Sequence, residues 1–216
     1  MSITIRKVQF EDRQSVYEIE KKSTPGLIYL PYVFDQFAID EAGAFLIAEI
    51  DGEPVGCGKL TLLPDSSAWL ETLRVVPEWQ GQGIGKHLYQ RFLEIGHIKN
   101  VPAMRMYTNV RNHASKGLAE RFGFTIVGNY RGQKLPCQLD LHLPPPAAFQ
   151  RVEDPALATE LLLSQRESWG GFLVMNRTFY AVTPILARYL ADQGMLYHDP
   201  DTQTLISLGA RFMPQQ

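Results

Sequence analysis

The chain has 216 residues, a mass of 24.4 kDa, and 21 Lys+Arg against 23 Asp+Glu. This length holds one domain of ordinary size and part of a second, and a chain of this size buries about 70% of its unfolded surface, so neither disulfide nor metal is needed to staple it. A net charge of −2 and a pI near 6.2 exclude a general electrostatic grip on nucleic acid, so an anionic ligand must be held locally, by backbone amides or a few side chains. The longest apolar stretch, Leu27 to Phe34, is interrupted by Pro31 and falls far short of the ~20 residues of a membrane span. The first residues lack the apolar core of a signal peptide, and Cys57 and Cys137 form neither a disulfide framework nor a metal pair. These features predict a cytoplasmic protein with no membrane partner.

In chain order, Ser2 to Val8 alternates as a strand, and the spacing of Val16 and Ile19 predicts a helix ending near Pro25-Gly26. A second helix is expected from Pro31 to about Asp40. Phe45–Ile50 and Val55–Leu63 flank Asp51-Gly52, a strong hairpin signal. Trp69 to Val76 is rich in strand formers and stops at Pro77. Gly83 to Ile98 reads as a helix with Leu88, Phe92, Leu93 and Ile95 on its apolar stripe. Met104 to Thr108 is a short strand, Ala114 to Phe122 a helix closed by Gly123, and Phe124–Val127 and Leu139–Leu143 are further strands. The order predicts an α/β (α+β) domain with a mixed sheet. Pro144-Pro145-Pro146 cannot belong to a central strand or helix, so a first domain is expected over residues 1–143, a linker over 144–150 and a small α+β domain over 151–216. In that tail Glu153–Gln165 is helical and Phe172–Val182 strand-like. Thr183-Pro184 starts a helix to Gln193, and a hairpin turns around Asp199-Pro200-Asp201.

The richest segment for chemistry is Leu70-Glu-Thr-Leu-Arg-Val-Val-Pro-Glu-Trp-Gln-Gly-Gln-Gly-Ile-Gly-Lys86. A strand ends at a proline, a glycine-rich turn follows, and a helix begins within the glycines. Absent side chains let a ligand approach the backbone, and the free amides and dipole of the first helical turn favour an anion. The plain alternative is a tight turn that packs helix on strand. The triphosphatase loop fails here, because Gln80 replaces its first glycine and His87 its Ser/Thr. The dinucleotide fingerprint fails too, because the spacing is G-x-G-x-G and falls after the fourth strand.

Gln80-Gly81-Gln82-Gly83-Ile84-Gly85 does match the pyrophosphate loop Gln/Arg-x-x-Gly-x-Gly/Ala of the GNAT superfamily of N-acetyltransferases. Leu70–Glu78 resembles the strand that precedes that loop, and Met106–Asn112 with Glu120-Arg121-Phe122-Gly123-Phe124 resembles the family's second cofactor-side segment. The resemblance spans roughly residues 3–143 and implies the GNAT acyl-CoA N-acyltransferase fold with acetyl-CoA as co-substrate. It places the pantetheine arm along the backbone of Leu73, Arg74 and Val75. The pyrophosphate falls on the amides of Gly81, Gln82, Gly83, Ile84, Gly85 and Lys86, and Asn112 lies beside the arm. For Lys86 the plain alternative is a solvated lysine; for Asn112 it is a helix N-cap, which is compatible with the cofactor role.

Acetyl transfer needs a deprotonated amine and a reprotonated thiolate. Glu71 matches the position of the family's glutamate base, and simple alternation puts it on one face with Trp69 and Leu73 unless a bulge intervenes. Its ordinary alternative is a strand glutamate paired with Arg74 or Arg105. The family's tyrosine acid falls on Ala119, which cannot donate a proton. Tyr107, with Tyr130 or water behind it, is the substitute donor, against the plainer role of a packed aromatic. His87, His97, His113, His142 and His198 show no metal spacing, so no metal is expected. The tail resembles half of a second GNAT-like fold without its glycine loop, fit to wall the acceptor pocket, to join two copies of the chain as a homodimer, or to serve structure alone. Two functions follow from the resemblance. One is an acetyl-CoA-dependent N-acetyltransferase acting on a small-molecule or peptide amine, with protein lysine also open. The other is an acyl-CoA sensor with little catalysis. The aromatic stretch Ser23–Ala42 disfavours a polycationic acceptor.

Overall fold

The computed structural model describes residues 2–131 and 148–209. They fall into two units: the chain through Phe124 together with Met175–Phe179, and the rest from Thr125 to Val174 and from Tyr180 onward. Leu139–Leu143 and the proline run lie outside the described residues.

The first unit is built on a five-stranded sheet of β1 (Ile3–Lys7), β2 (Ala44–Ile50), β3 (Glu53–Leu62), β4 (Ala68–Val75) and β5 (Met104–Met106), in that spatial order. The first four strands are antiparallel neighbours, and β5 joins β4 in parallel. The β2–β3 turn forms as Asp-Gly predicts, with Asp51 at φ 49° and Gly52 at φ 90°. Helices α1 (Arg13–Ser23) and α2 (Leu30–Ala38) lie between β1 and β2 in sequence, and α3 (Ile84–Ile98) makes the crossover from β4 to β5. On the α2 face, Phe34 and Phe37 meet Phe45 of β2 edge to face, at 5.9 and 5.6 Å between ring centres. On the α3 face two glycines of β3 let the helix in. A Cβ on Gly56 would stand 3.2 Å from Ile84, and one on Gly58 2.9 Å from Phe92. Lys59 is buried in the α2 face, where it is paired with Asp40 and lies 5.5 Å from the centre of the Phe37 ring. Helix α4 (His113–Arg121) follows β5.

The predicted strand Phe124–Val127 does not form; residues 124–131 carry no regular structure. Phe124 packs on Tyr89, but Ile126 and Val127 are exposed, and no described strand pairs with them to take up their amides.

The second unit holds β6 (Gln150–Arg151), α5 (Pro155–Ser164), α6 (Pro184–Asp192), β9 (Leu196–Asp199) and β10 (Thr204–Ser207), with sheet order β10-β9-β6. Thr183 caps α6 as its sequence predicts, its hydroxyl accepting from Leu186 N at 3.2 Å. The single strand expected over Phe172–Val182 is instead a hairpin of β7 (Phe172–Met175) and β8 (Thr178–Ala181). Its turn residues Asn176 and Arg177 adopt φ 48° and 61°, a left-handed pair that an Asn-Arg dipeptide does not announce. Among the described residues no helix is long and apolar enough to cross a membrane.

Candidate active site

The site is opened by a mismatch in strand length. β5 pairs with β4 only at Ala68↔Met104, Trp69↔Arg105 and Leu70↔Met106, whereas β4 continues to Val75. From Glu71 onward β4 therefore has β3 on one side and no β5 partner on the other. Leu73, Arg74 and Val75 lie on this stretch, with Glu71 of β4 and Tyr107, just after the end of β5, the first residues past the last pair.

At the end of β4 the chain turns through the glycines into α3. Gln80 donates from Nε2 to Val75 O at 3.0 Å, which ties the turn to the strand. Gly81 and Gly83 adopt φ 79° and 88°, values that favour glycine. A Cβ on Gly81 would meet nothing within 4 Å, and one on Gly83 only the His87 ring at 3.8 Å, so backbone geometry rather than packing demands these glycines and the space before the turn is open. Gly83 is the N-cap of α3, and the first intrahelical bond runs from His87 N to Gly83 O. The amides of Ile84, Gly85 and Lys86 precede that bond, and no cap side chain competes for them. This donor set fits an anionic pyrophosphate. Gly85 has a second role: a Cβ there would stand 3.0 Å from Leu118 of α4. Asn112 caps α4, its Oδ1 accepting from Ser115 N at 3.0 Å, and its side chain is exposed beside the turn into that helix.

Simple alternation along β4 is overturned by a bulge. The register pairs Lys59 with Glu71 but Cys57 with Arg74, and Thr72, at φ 53°, absorbs the extra residue. Leu73 therefore turns to the α3 face, its Cδ1 3.5 Å from where a Cβ on Gly58 would sit. Glu71 stays on the opposite face with Trp69 and with Thr61, whose hydroxyl donates to Glu71 Oε1 at 2.7 Å. Arg105, one expected neighbour of Glu71, donates to Asp65 at 2.9 Å.

The bulge also sends the Arg74 side chain to the face of α1 and α2. There Arg74 Nη2 stands 4.0 Å from Glu20 Oε1, and its guanidinium lies 5.8 Å from the centre of the Tyr29 ring. Glu20 is fully buried. Its Oε2 accepts from Tyr29 N at 3.1 Å and Leu30 N at 2.9 Å, so it holds the start of α2. Glu20 Oε1 and Arg74 Nε are buried without a hydrogen-bond partner. Burial outweighs the two amides and Arg74 and raises the Glu20 pKa above the ordinary carboxylate value. Burial likewise pushes the Cys57 thiol up to about 12, which leaves it inert as a nucleophile. Sequence reasoning overlooked Glu20, although Val16, Ile19 and Glu20 stand at core-facing helical spacing and a glutamate there is itself a signal.

Ala119 is buried on α4, at the position where the resemblance expects an acid. The nearby phenol is Tyr89 of α3. It stacks on Phe122 at 5.3 Å, its hydroxyl lies 2.9 Å from Met106 Sδ, and burial pushes it up to about 12. Tyr107 is exposed, whereas Tyr130 belongs to the second unit. Among the described residues no group of His, Cys, Asp and Glu is arranged to hold a metal ion.

An open strand edge running into a helix N-terminus through a glycine turn offers backbone groups to an extended ligand and amides to its phosphates. The comparisons with known proteins agree. The model of the Acetyltransferase (GNAT) family matches residues 13–124. A Bacillus subtilis (strain 168) protein, provisionally named a ribosomal protein bS18-alanine N-acetyltransferase, is 28% identical over 125 residues, which cover 57% of this chain and 82% of that protein. Among solved structures, the aminoglycoside N-acetyltransferase AAC(6')-Iy in complex with CoA aligns with a TM-score of 0.55 at 20% identity, over 63% of this chain and 96% of its own. The Escherichia coli ribosomal-protein-S18-alanine N-acetyltransferase aligns with a TM-score of 0.52 at 21% identity, over 57% and 78%. The chain belongs to the GNAT acetyltransferase family, and is an N-acetyltransferase that uses acetyl-CoA as co-substrate.

Proposed function

We propose that this chain moves the acetyl group of acetyl-CoA to a primary amine by direct attack within a ternary complex, with Glu71 as general base. The observation that carries this reading is the position of Glu71. It is the first β4 residue past the pairing with β5, and it is held by Thr61 on the face opposite the Leu73 side chain. Acetyl-CoA supplies an activated thioester. The backbone of Leu73 to Val75 aligns its arm, and the amides of Gly81 to Lys86 with the Lys86 ammonium hold its phosphates. Asn112 flanks the arm while capping α4. Glu71 takes a proton from the incoming amine, directly or through one water, as the carbon–nitrogen bond forms and the carbon–sulfur bond breaks. The Tyr107 hydroxyl, or water in its place, returns a proton to the departing sulfur. The acceptor is a small-molecule or peptide amine: the relatives are named for a protein alanine and for aminoglycosides, and both present such a group. On this reading the transferase domain spans residues 1–143 and is followed by a linker over 144–150 and a small domain over 151–216, of which Met175–Phe179 are counted with the first unit.

Calorimetric titration with acetyl-CoA, followed by a thiol-release assay over a panel of amines, tests the proposal. Binding together with turnover that Glu71→Ala removes is the expected result. Turnover undiminished in Glu71→Ala overturns the base assignment. Binding with no turnover on any amine favours an acyl-CoA sensor, the reading supported by Ala119 where the family acid would stand.

A further inference from the structure

Phe179 belongs to the first unit, with Met175–Phe179, although it lies far along the chain from β4 and β5. Its half-buried ring stacks on Trp69 at 6.0 Å and 22° between planes, and on Tyr107 at 5.9 Å and 19°. The register says where that is. Trp69 faces Arg105 across the β4–β5 pair, so Trp69 and Tyr107 are diagonal neighbours on one face, and Glu71 is the residue beside both. The near-parallel Trp69–Phe179–Tyr107 stack is thus a wall at the side of Glu71, on the face that Glu71 shares with Trp69. Trp69 is 4% exposed, so the wall is closed over the indole.

The Phe179 ring covers Trp69 and Tyr107, the two residues that flank Glu71 on this face. The ring is apolar and neutral, and carries no group that could select an acceptor by hydrogen bonding. We propose that Phe179 is a specificity-determining residue that limits the bulk of the group attached to the reacting amine, admitting narrow acceptors and excluding wide ones. The inference rests on the proposed N-acetyltransferase reading with Glu71 at the reacting centre. Apolar walls discriminate by one methylene or more at about 10–200-fold, and removal of a whole phenyl ring is a change of that order or larger.

The test compares wild type, Phe179→Ala, Phe179→Leu and Phe179→Tyr in thiol release from acetyl-CoA, with glycinamide, alaninamide, phenylalaninamide and tryptophanamide as acceptors. Acetyl-CoA affinity is measured by calorimetry on the same samples. The expected result is a rise of about tenfold or more in the ratio of kcat/KM for tryptophanamide to that for glycinamide in Phe179→Ala, a smaller rise in Phe179→Leu, and a wild-type ratio in Phe179→Tyr. Acetyl-CoA affinity stays unchanged throughout. A ratio that stays at the wild-type value in both truncated variants overturns the inference and leaves the proposed function standing. A uniform loss of activity on all four amines with weakened acetyl-CoA binding also overturns it, because Phe179 would then support the fold rather than sort acceptors. No turnover of any amine by the wild-type protein overturns the proposed function and this inference with it. Should Phe179→Ala fail to fold, Phe179→Leu, which keeps an apolar side chain against Trp69, decides the matter alone.

Discussion

The two sides of β4 are built by different means. On the side of the glycine turn, the groups on offer are backbone groups: a strand edge beyond the β5 pairing, two glycines in left-handed conformations and a helix start with no capping side chain. On the side of Glu71 the contacts are made by side chains: Thr61 of β3 on Glu71, Glu20 of α1 beside Arg74, and Phe179 of β8 on Trp69. Backbone recognition tolerates sequence change wherever the conformation survives. The side-chain arrangement depends on a single inserted residue, Thr72, that brings Arg74 to the face Glu71 already occupies.

The largest effect expected from breaking this contrast falls on the backbone side. Gly83→Val forces a branched residue to φ 88°, a strain of about 1–3 kcal/mol, and fills open space before the turn. Acetyl-CoA binding should weaken at least about 100-fold in a titration, while the circular dichroism spectrum is kept. Retained affinity would mean that the anion is held elsewhere. Next comes Glu71→Gln, which preserves the shape and the Thr61 hydrogen bond but removes the base. Here kcat should fall about 100-fold or more with acetyl-CoA affinity unchanged; a fall in affinity instead would place Glu71 on the cofactor side. A smaller effect on stability is expected for Glu20→Ala, which leaves two amides of the α2 start and the Arg74 guanidinium without their partner. Unfolding in urea should show a loss of about 2–3 kcal/mol, and a change under 0.5 kcal/mol would mean that the buried carboxylate is dispensable.

The same contrast explains what the amino-acid sequence makes legible. The strand, the Asp51-Gly52 hairpin, the glycine turn and α3 are local features, each announced by residues next to one another, and they carry the fold and the cofactor side with them. The Asn112 cap and the Thr183-Pro184 helix start are local in the same way. The partners of Glu71 are not. Alternation places it with Leu73, and only the pairing of β4 with β3 reveals the bulge that separates them. Arg74 reads as strand backbone until the bulge brings its side chain to Glu20. Phe179 reads as one of several aromatics in a tail strand, because neither the left-handed turn at Asn176-Arg177 nor its stacking on Trp69 has a signature along the chain.

The smallest effect expected separates two buried carboxylates that look alike in the sequence. Asp12 accepts from Arg6 Nη1 and Nη2 at 2.7 and 2.8 Å and from Gln9 N at 2.7 Å, so its charged form is favoured and its pKa is lowered, chiefly by Arg6. Glu20 has its arginine at 4.0 Å, and burial dominates and raises its pKa. The signs are opposite. For Asp12 the stabilisation is complete above its unfolded value of about 3.9 and is lost as pH falls through the lower folded value. For Glu20 the folded state holds its proton more tightly, so its charge costs stability as pH rises from about 4.3 to the raised folded value. Asp12→Asn should therefore destabilise by about 1 kcal/mol at pH 7, a modest figure because Arg6 is partly exposed, and the difference from wild type should shrink on acidification below pH ~4. Glu20→Gln, which keeps an oxygen for the two amides, should improve relative to wild type as pH rises from about 4 to 7. Urea unfolding at intervals across that range reads both slopes. Parallel slopes for the two variants would mean that Arg74 closes on Glu20 in solution and that the acceptor side is held by an ordinary ion pair, like the one at Asp12.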